Sequence, residues 1–256
     1  MAIINIAAVL TLAGDARAEK ILIYMDRAQN DHLKAYGVVY KAVAKGIGAE
    51  WLLNYRNGSF LMDNADFVRE TANYMGVSFE TIGDDAAASI YSIIKDNNMD
   101  AVKIEKSPKI AVYSPPDKRP WDDAVTLALT YAEIPYDTLW DSEVLKGDLK
   151  KYDWLHLHHE DFTGQYGKFY GAYKNAVWYQ KQVRLYEQNA RDAGFKSVQA
   201  HKCAVAKTIK KYVEEGGFLF MMCCACDSID IALAADGVDI ITSEIDGTPA
   251  DPNCQQ

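Results

Sequence analysis

The stretch EEGGFLFMMCCACDSIDIALAA, residues 214–235, decides how the second half of this 256-residue chain is read. Gly216 and Gly217 stop a preceding helix, because glycine takes the left-handed cap conformation without steric cost. Residues 218–222, FLFMM, are a continuous apolar run short enough for a strand buried on both faces. Cys223, Cys224, Ala225 and Cys226 follow. Asp227 or Ser228 then suits the N-cap of a new helix that buries Ile229, Ala232 and Leu233. Strand, tight turn and helix, with a nucleophilic residue type at the turn, is the layout of a nucleophile elbow. Helix amides behind such a turn lower a thiol pKa or hold an oxyanion. Cys223 is the expected nucleophile, with Cys224, Ala225 and Cys226 completing the elbow. The elbow favours small residues two places either side; Ala225 fits and Met221 does not. Cys226 has smaller flanks but falls at the helix start. Against this stands the ordinary role of buried cysteines as small core hydrophobes.

Working outward, the second half reads as one βα series. Strands are expected at 109–114, 136–140, 154–158, 218–222 and 238–242. Helices are expected at 121–133, 176–193 and 203–215, with a helical turn or loop at 141–149. The first half alternates similarly: strands at 20–26, 50–54, 60–62 and 77–82, helices at 31–45, 66–75 and 86–95. This rhythm predicts an α/β fold with a largely parallel, doubly wound sheet flanked by helices. A charged connector over 103–108 divides the chain, giving an N-terminal α/β region at 19–106 and a second domain at 107–256.

Residues 1–18 differ from the rest. Ile3 to Ala13 is mostly apolar, and Ala16-Arg17-Ala18 fits a small-x-small cleavage site, so a signal peptide and an exported protein, periplasmic or secreted, are expected. No stretch is long enough for a transmembrane span. The net charge is −9 and no basic patch stands out, which excludes the usual nucleic-acid-binding profile. Five cysteines, three of them within four residues, do not read as a stapling framework, since neighbouring cysteines rarely satisfy disulfide geometry. An exported chain leaves Cys203 or Cys254 free to pair with the cluster.

A second constellation is His156, His158, His159, Glu160 and Asp161. Alternation puts His156 and His158 on one strand face, with His159 and Glu160 at the C-terminal edge, where ligands bind in open α/β sheets. These side chains suit either a metal ion or a base that orients beside Cys223; the plain alternative is a pair of core histidines and a solvated turn. Asp26, Gln29 and His32 follow the first strand at a comparable edge. Tyr166, Tyr170, Tyr173, Trp178 and Tyr179 are able to stack on a small-molecule or glycan-like ligand, or simply to cover the sheet. Neither a phosphate-binding loop nor a dinucleotide fingerprint is present, so no cofactor and no resident metal are expected.

Three stretches carry a family resemblance: AVYSPPDKRPWDDAVTLALTYAEIPYD (111–137), YDWLHLHHEDFTGQYGKFY (152–170) and GGFLFMMCCACDSIDIALAADGVD (216–239). From Lys20 onward the chain resembles an exported family commonly labelled asparagine synthetase B. Its second half is similar to class I glutamine amidotransferases and their trehalose-utilisation-type relatives, in which the elbow position falls on Cys223. The resemblance implies a flavodoxin-like, amidotransferase-like domain that continues past Gln256. Cys224 and Cys226 stand where the family has Ser and Thr, and no histidine follows Cys226, so the downstream histidine of an amidotransferase triad is missing. The label itself finds no support in the residues: Ala2 replaces the catalytic cysteine of true asparagine synthetases, and their Ser-Gly-Gly-x-Asp-Ser loop is absent. The resemblance therefore implies a cysteine-dependent amide hydrolase in which Cys223 attacks and a histidine from 156–159, with Glu160, replaces the missing base. The rival expectation is a non-catalytic exported binding module that kept the fold and lost the triad.

Overall fold

The computed structural model describes residues 19–116, 124–166 and 169–254. The expected signal peptide, residues 1–18, lies outside them. The chain divides into two compact units, with the boundary between Ser107 and Pro108.

The first unit contains β1 (Lys20–Ile23), α1 (His32–Ala44), β2 (Ala49–Leu53), β3 (Ser59–Asp63), α2 (Asp66–Met75), β4 (Glu80–Ile82), α3 (Asp84–Asp96) and β5 (Asp100–Ile104). Its strands run in the order β4-β1-β3-β2-β5, and every neighbouring pair is antiparallel. This corrects the expected parallel sheet. The chain does not cross over after β2 but turns straight back, through Asn54, Arg56, Asn57 and Gly58, all at positive φ. β3 thereby inserts between β1 and β2, which run parallel to each other as a split βαβ unit. β5, for which no strand was expected and whose last two residues open the expected charged connector 103–108, is an edge strand on β2, with Glu50 opposite Lys103. Alternation sorts the core: Ile21 and Ile23 pack with α1 and α2, while Leu22 packs with Ile90 and Ile94 of α3.

The second unit contains β6 (Ile110–Tyr113), α4 (Ala124–Tyr131), β7 (Tyr136–Leu139), α5 (Asp141–Leu145), β8 (Trp154–Leu157), α6 (Tyr170–Tyr173), α7 (Val177–Asp192), α8 (Val198–Glu214), β9 (Phe218–Met221), α9 (Cys224–Ala234) and α10 (Ser243–Asp246). The expected start of α4, residues 121–123, lies outside the described residues. The strand order is β7-β6-β8-β9, parallel throughout. Among the described residues the fold is α/β, with this parallel sheet flanked by helices. Leu155, Leu157 and Ala111 pack on one face against Val205, Ala206 and Ile209 of α8 and Ile229 of α9. α8 begins five residues before the expected 203, because Ser197 accepts the Ala200 N–H and caps it.

Two expectations fail here. Residues 238–242 are not a strand: Asp239 turns back on itself, its carboxylate accepting the Ile241 N–H. β9 is consequently the edge of the sheet, and its apolar run is not buried on both faces: Leu219 and Met221 pack inward, but Phe218 is 59% exposed and Phe220 45%. No helix among the described residues is long and apolar enough to cross a membrane.

Candidate functional site

Cys223 joins β9 to α9. Its backbone sits at φ 53°, ψ −140°, a region that L-residues rarely enter. The helix begins at once: Cys223 occupies the N-cap position and Cys224 to Cys226 form the first turn, so neither Asp227 nor Ser228 is the cap. The apolar face of α9, Ala225, Ile229 and Ala232, packs back onto the core that holds Leu155 and Leu157 of β8. Met222 and Cys223 alone are left between strand and helix, and Cys223, at positive φ, carries an exposed thiol.

The neighbouring strand delivers the histidines. Leu157 pairs with Met221, and the Met222 N–H donates to Leu157 O at 3.0 Å, so His158 lies at the level where β9 ends. The segment after β8 is fastened onto α9: the Ala225 N–H donates to His158 O (3.4 Å), the Cys224 thiol to His159 O (3.2 Å) and the Ser228 hydroxyl to Glu160 O (2.8 Å). Glu160 Oε2 in turn accepts the His158 N–H at 2.8 Å, and Glu160 is buried. The rings of His158 and His159 lie 4.0 Å apart between centroids. Cys223, Cys224, Ala225, His158, His159 and Glu160 thus come from two adjacent strand tips, and Cys226 follows one place into the helix.

His156 is a core residue: it is 1% exposed and stacks on Phe220, with ring centroids 5.7 Å apart. Among the described residues no group of three or more His, Cys, Asp or Glu has the placement to hold a metal ion. Asp26, Gln29 and His32 belong to the first unit and knit its turns: Asp26 pairs with Arg56, Gln29 bridges Tyr24 and Ser78, and the His32 ring bonds to Met25 O. In the aromatic-rich segment, Tyr166 and Tyr179 are buried, whereas Phe169, Tyr173 and Trp178 are exposed; Phe169 meets the other two edge-on, and Tyr173 and Trp178 are tilted against each other. All five cysteines are free. Cys203 is buried, and that burial, with the carboxylate of Asp236 beside it, pushes its thiol pKa up.

A second polar cluster was not foreseen. Lys202 on α8 reaches beneath the C-terminal ends of β6 and β7. Its Nζ lies 2.9 Å from both carboxylate oxygens of Asp141 and 3.0 Å from the Tyr113 hydroxyl. Tyr113 also donates to Asp141. Burial, the Asp141 charge and that hydrogen bond hold the Tyr113 hydroxyl well above the usual phenol range. The ammonium sits 3.8 Å over the Trp140 ring, a cation–π contact. His201 Nδ1 is 3.7 Å from Asp141 Oδ2; burial, and to a lesser degree Lys202, depress its pKa against the opposing pull of Asp141. The sequence signal is weak: Lys202 reads as one lysine of a solvated helix face, and Asp141 as the first residue of a helical turn or loop.

No protein-family model, no curated protein and no solved structure matches this chain.

Proposed function

We propose that the second unit is a glutamine-amidotransferase-like hydrolase that cleaves an amide or related bond with Cys223. The observation that carries this reading is the conformation of Cys223: a non-glycine residue at φ 53°, ψ −140°, exposed between a parallel strand and a helix. Such strain persists where the surrounding structure over-determines it, and it clusters at sites of function. In the proposed reaction the Cys223 thiolate attacks the carbonyl carbon. The backbone N–H of Cys224 faces the developing oxyanion, and His158 or His159, oriented through Glu160, returns the proton to the departing amine. Water then hydrolyses the thioester, releasing a carboxylic acid and restoring the thiol. The strand order supports the flavodoxin-like form of this fold, in which the second strand lies outside the first and the later strands follow on its other side. The resemblance to the exported family labelled asparagine synthetase B points the same way. With it goes export: N-terminal sequencing of protein from its host is expected to begin at Glu19.

One observation favours the rival reading, a binding module without catalysis. The backbone of the 158–160 segment is spent on fastening α9, a structural duty. Limiting alkylation with iodoacetamide separates the two. Under the hydrolase reading Cys223 is labelled first, and His158→Ala or His159→Ala slows its labelling and shifts the pH profile over about pH 5 to 9, because an adjacent imidazolium favours the thiolate. A profile indifferent to both substitutions leaves the binding module as the better account.

A further inference from the structure

Cys223 and Cys226 face each other across the first turn of α9. Cys223 is the N-cap residue, and Cys226 is the third residue of the helix. The Cys226 N–H donates to Cys223 O at 3.4 Å. A turn closed by that bond holds its first and last Cα atoms within about 7 Å. A disulfide spans about 4.4–6.8 Å between Cα atoms, so the backbone already has the separation that a Cys223–Cys226 bond needs. Residues three apart also share a helix face. Two cysteines with two residues between them at a helix N-terminus have the spacing of dithiol–disulfide centres.

The remaining cysteines are worse partners. Cys224 is adjacent to Cys223, where disulfide geometry is strained, and its thiol already donates to His159 O at 3.2 Å. Cys203 is buried on α8, its thiol on Ala232 O at 3.4 Å. Among the described residues neither Cys223 nor Cys226 gives its thiol to a hydrogen bond. Cys223 is exposed and Cys226 half-buried. That difference divides the work: the outer thiol meets a reactant from solution, and the inner one attacks only the sulfur beside it.

We propose that Cys223 and Cys226 are a redox-active dithiol that exchanges with low-molecular-weight disulfides. The Cys223 thiolate attacks one sulfur of the small disulfide, whose S–S bond breaks and releases a thiolate. The Cys226 thiolate then attacks Cys223 Sγ, breaks the mixed disulfide and releases the second thiolate. Two cysteine thiols are oxidised, one small disulfide is reduced to two thiols, and the two cysteine protons pass to them. Exposed disulfides are the readily reduced ones, so added thiol reverses the change. Formation of the bond needs no amide chemistry: a chain that cleaves no amide still forms it. The linked form has no Cys223 thiol, so whatever Cys223 attacks in the reduced form is closed to the oxidised one.

Incubation of the whole reduced chain with glutathione disulfide, followed by acid quenching, alkylation with N-ethylmaleimide and peptide mapping, tests this. Cys223 and Cys226 are expected to lose their thiols together, in one peptide two hydrogens lighter that carries maleimide on Cys224 and no glutathione. Dithiothreitol should restore both thiols. Cys224→Ser should leave the linkage unchanged. Cys226→Ser and Cys226→Ala, each checked for folding by circular dichroism, should stop at a mixed disulfide of Cys223 with glutathione. The proposal is overturned if the unsubstituted chain stops at that mixed disulfide or does not react, if the link runs to Cys224, Cys203 or Cys254, or if Cys224→Ser abolishes it.

Discussion

Lys202 and Asp141, 61 residues apart in sequence, form a two-oxygen ion pair at 2.9 Å with both side chains 1% exposed. Asp141 opens α5 directly after β7, and Lys202 comes from the first half of α8, so the pair ties an edge strand to the helix that leads into β9. Removing one partner strands a buried charge, whereas removing both does not. Lys202→Met is therefore expected to destabilise the chain by about 3–5 kcal/mol in urea denaturation, and Lys202→Met with Asp141→Leu to recover most of that loss. A single substitution costing under about 1 kcal/mol would show the pair to be energetically idle.

His201 makes stability depend on pH. Its folded pKa lies below the ordinary imidazole value of about 6.5, chiefly through burial. The unfolded chain thus takes up a proton that the folded chain refuses, and the contribution present above about pH 6.5 is lost as pH falls toward the folded pKa. Stability curves at stepwise lower pH should show this decline, and His201→Gln should flatten it. If the substituted chain retains the full slope below pH 6.5, the dependence arises elsewhere.

The backbone of Cys223 predicts an inversion of the usual glycine penalty. At φ 53° any residue with a Cβ is strained, so Cys223→Gly should be more stable than Cys223→Ala by about 1 kcal/mol. Equal stabilities, or alanine the more stable, would mean that the turn relaxes when the thiol is removed.

Gly164 allows the loop after β8 to approach α8. A Cβ there would stand 2.7 Å from Gln199 Cα and 2.8 Å from its nitrogen, and φ is +87°. Gly164→Ala is expected to cost about 2 kcal/mol or more. Gly171→Ala, where an added Cβ meets nothing within 4 Å, should be close to neutral. Thermal melts of the two variants side by side decide it.

The hydrogen bond from Ser228 to Glu160 O, 2.8 Å long, fastens the histidine-bearing segment to α9. Ser228→Ala should cost about 1 kcal/mol in denaturation. It should also raise amide exchange over residues 158–162 more than over β8; uniform exchange would show that the other two contacts suffice.

Much of the second unit was legible because its signals are local. Short apolar runs bounded by Gly216-Gly217 and by Asp153 specify β9 and β8, and periodicity marks α7 and α9. The elbow was visible as a residue type at a strand-to-helix boundary. The first unit shows the limit. A β-α-β rhythm is common to simple and split βαβ units, and what separates them is whether β2 crosses over or turns back. The Asn57-Gly58 pair, which favours positive φ, was the available sign of a hairpin. The sequence by itself determined the longer helices, most strands, the βα order after residue 108 and the position of Cys223. Only the tertiary structure decided that the first sheet is antiparallel, that β9 is an edge, and that Lys202 is buried against Asp141. Strand partners and ion pairs are long-range choices, settled by which surfaces can be buried together, and a periodicity read along one segment carries no information about the segment it will meet.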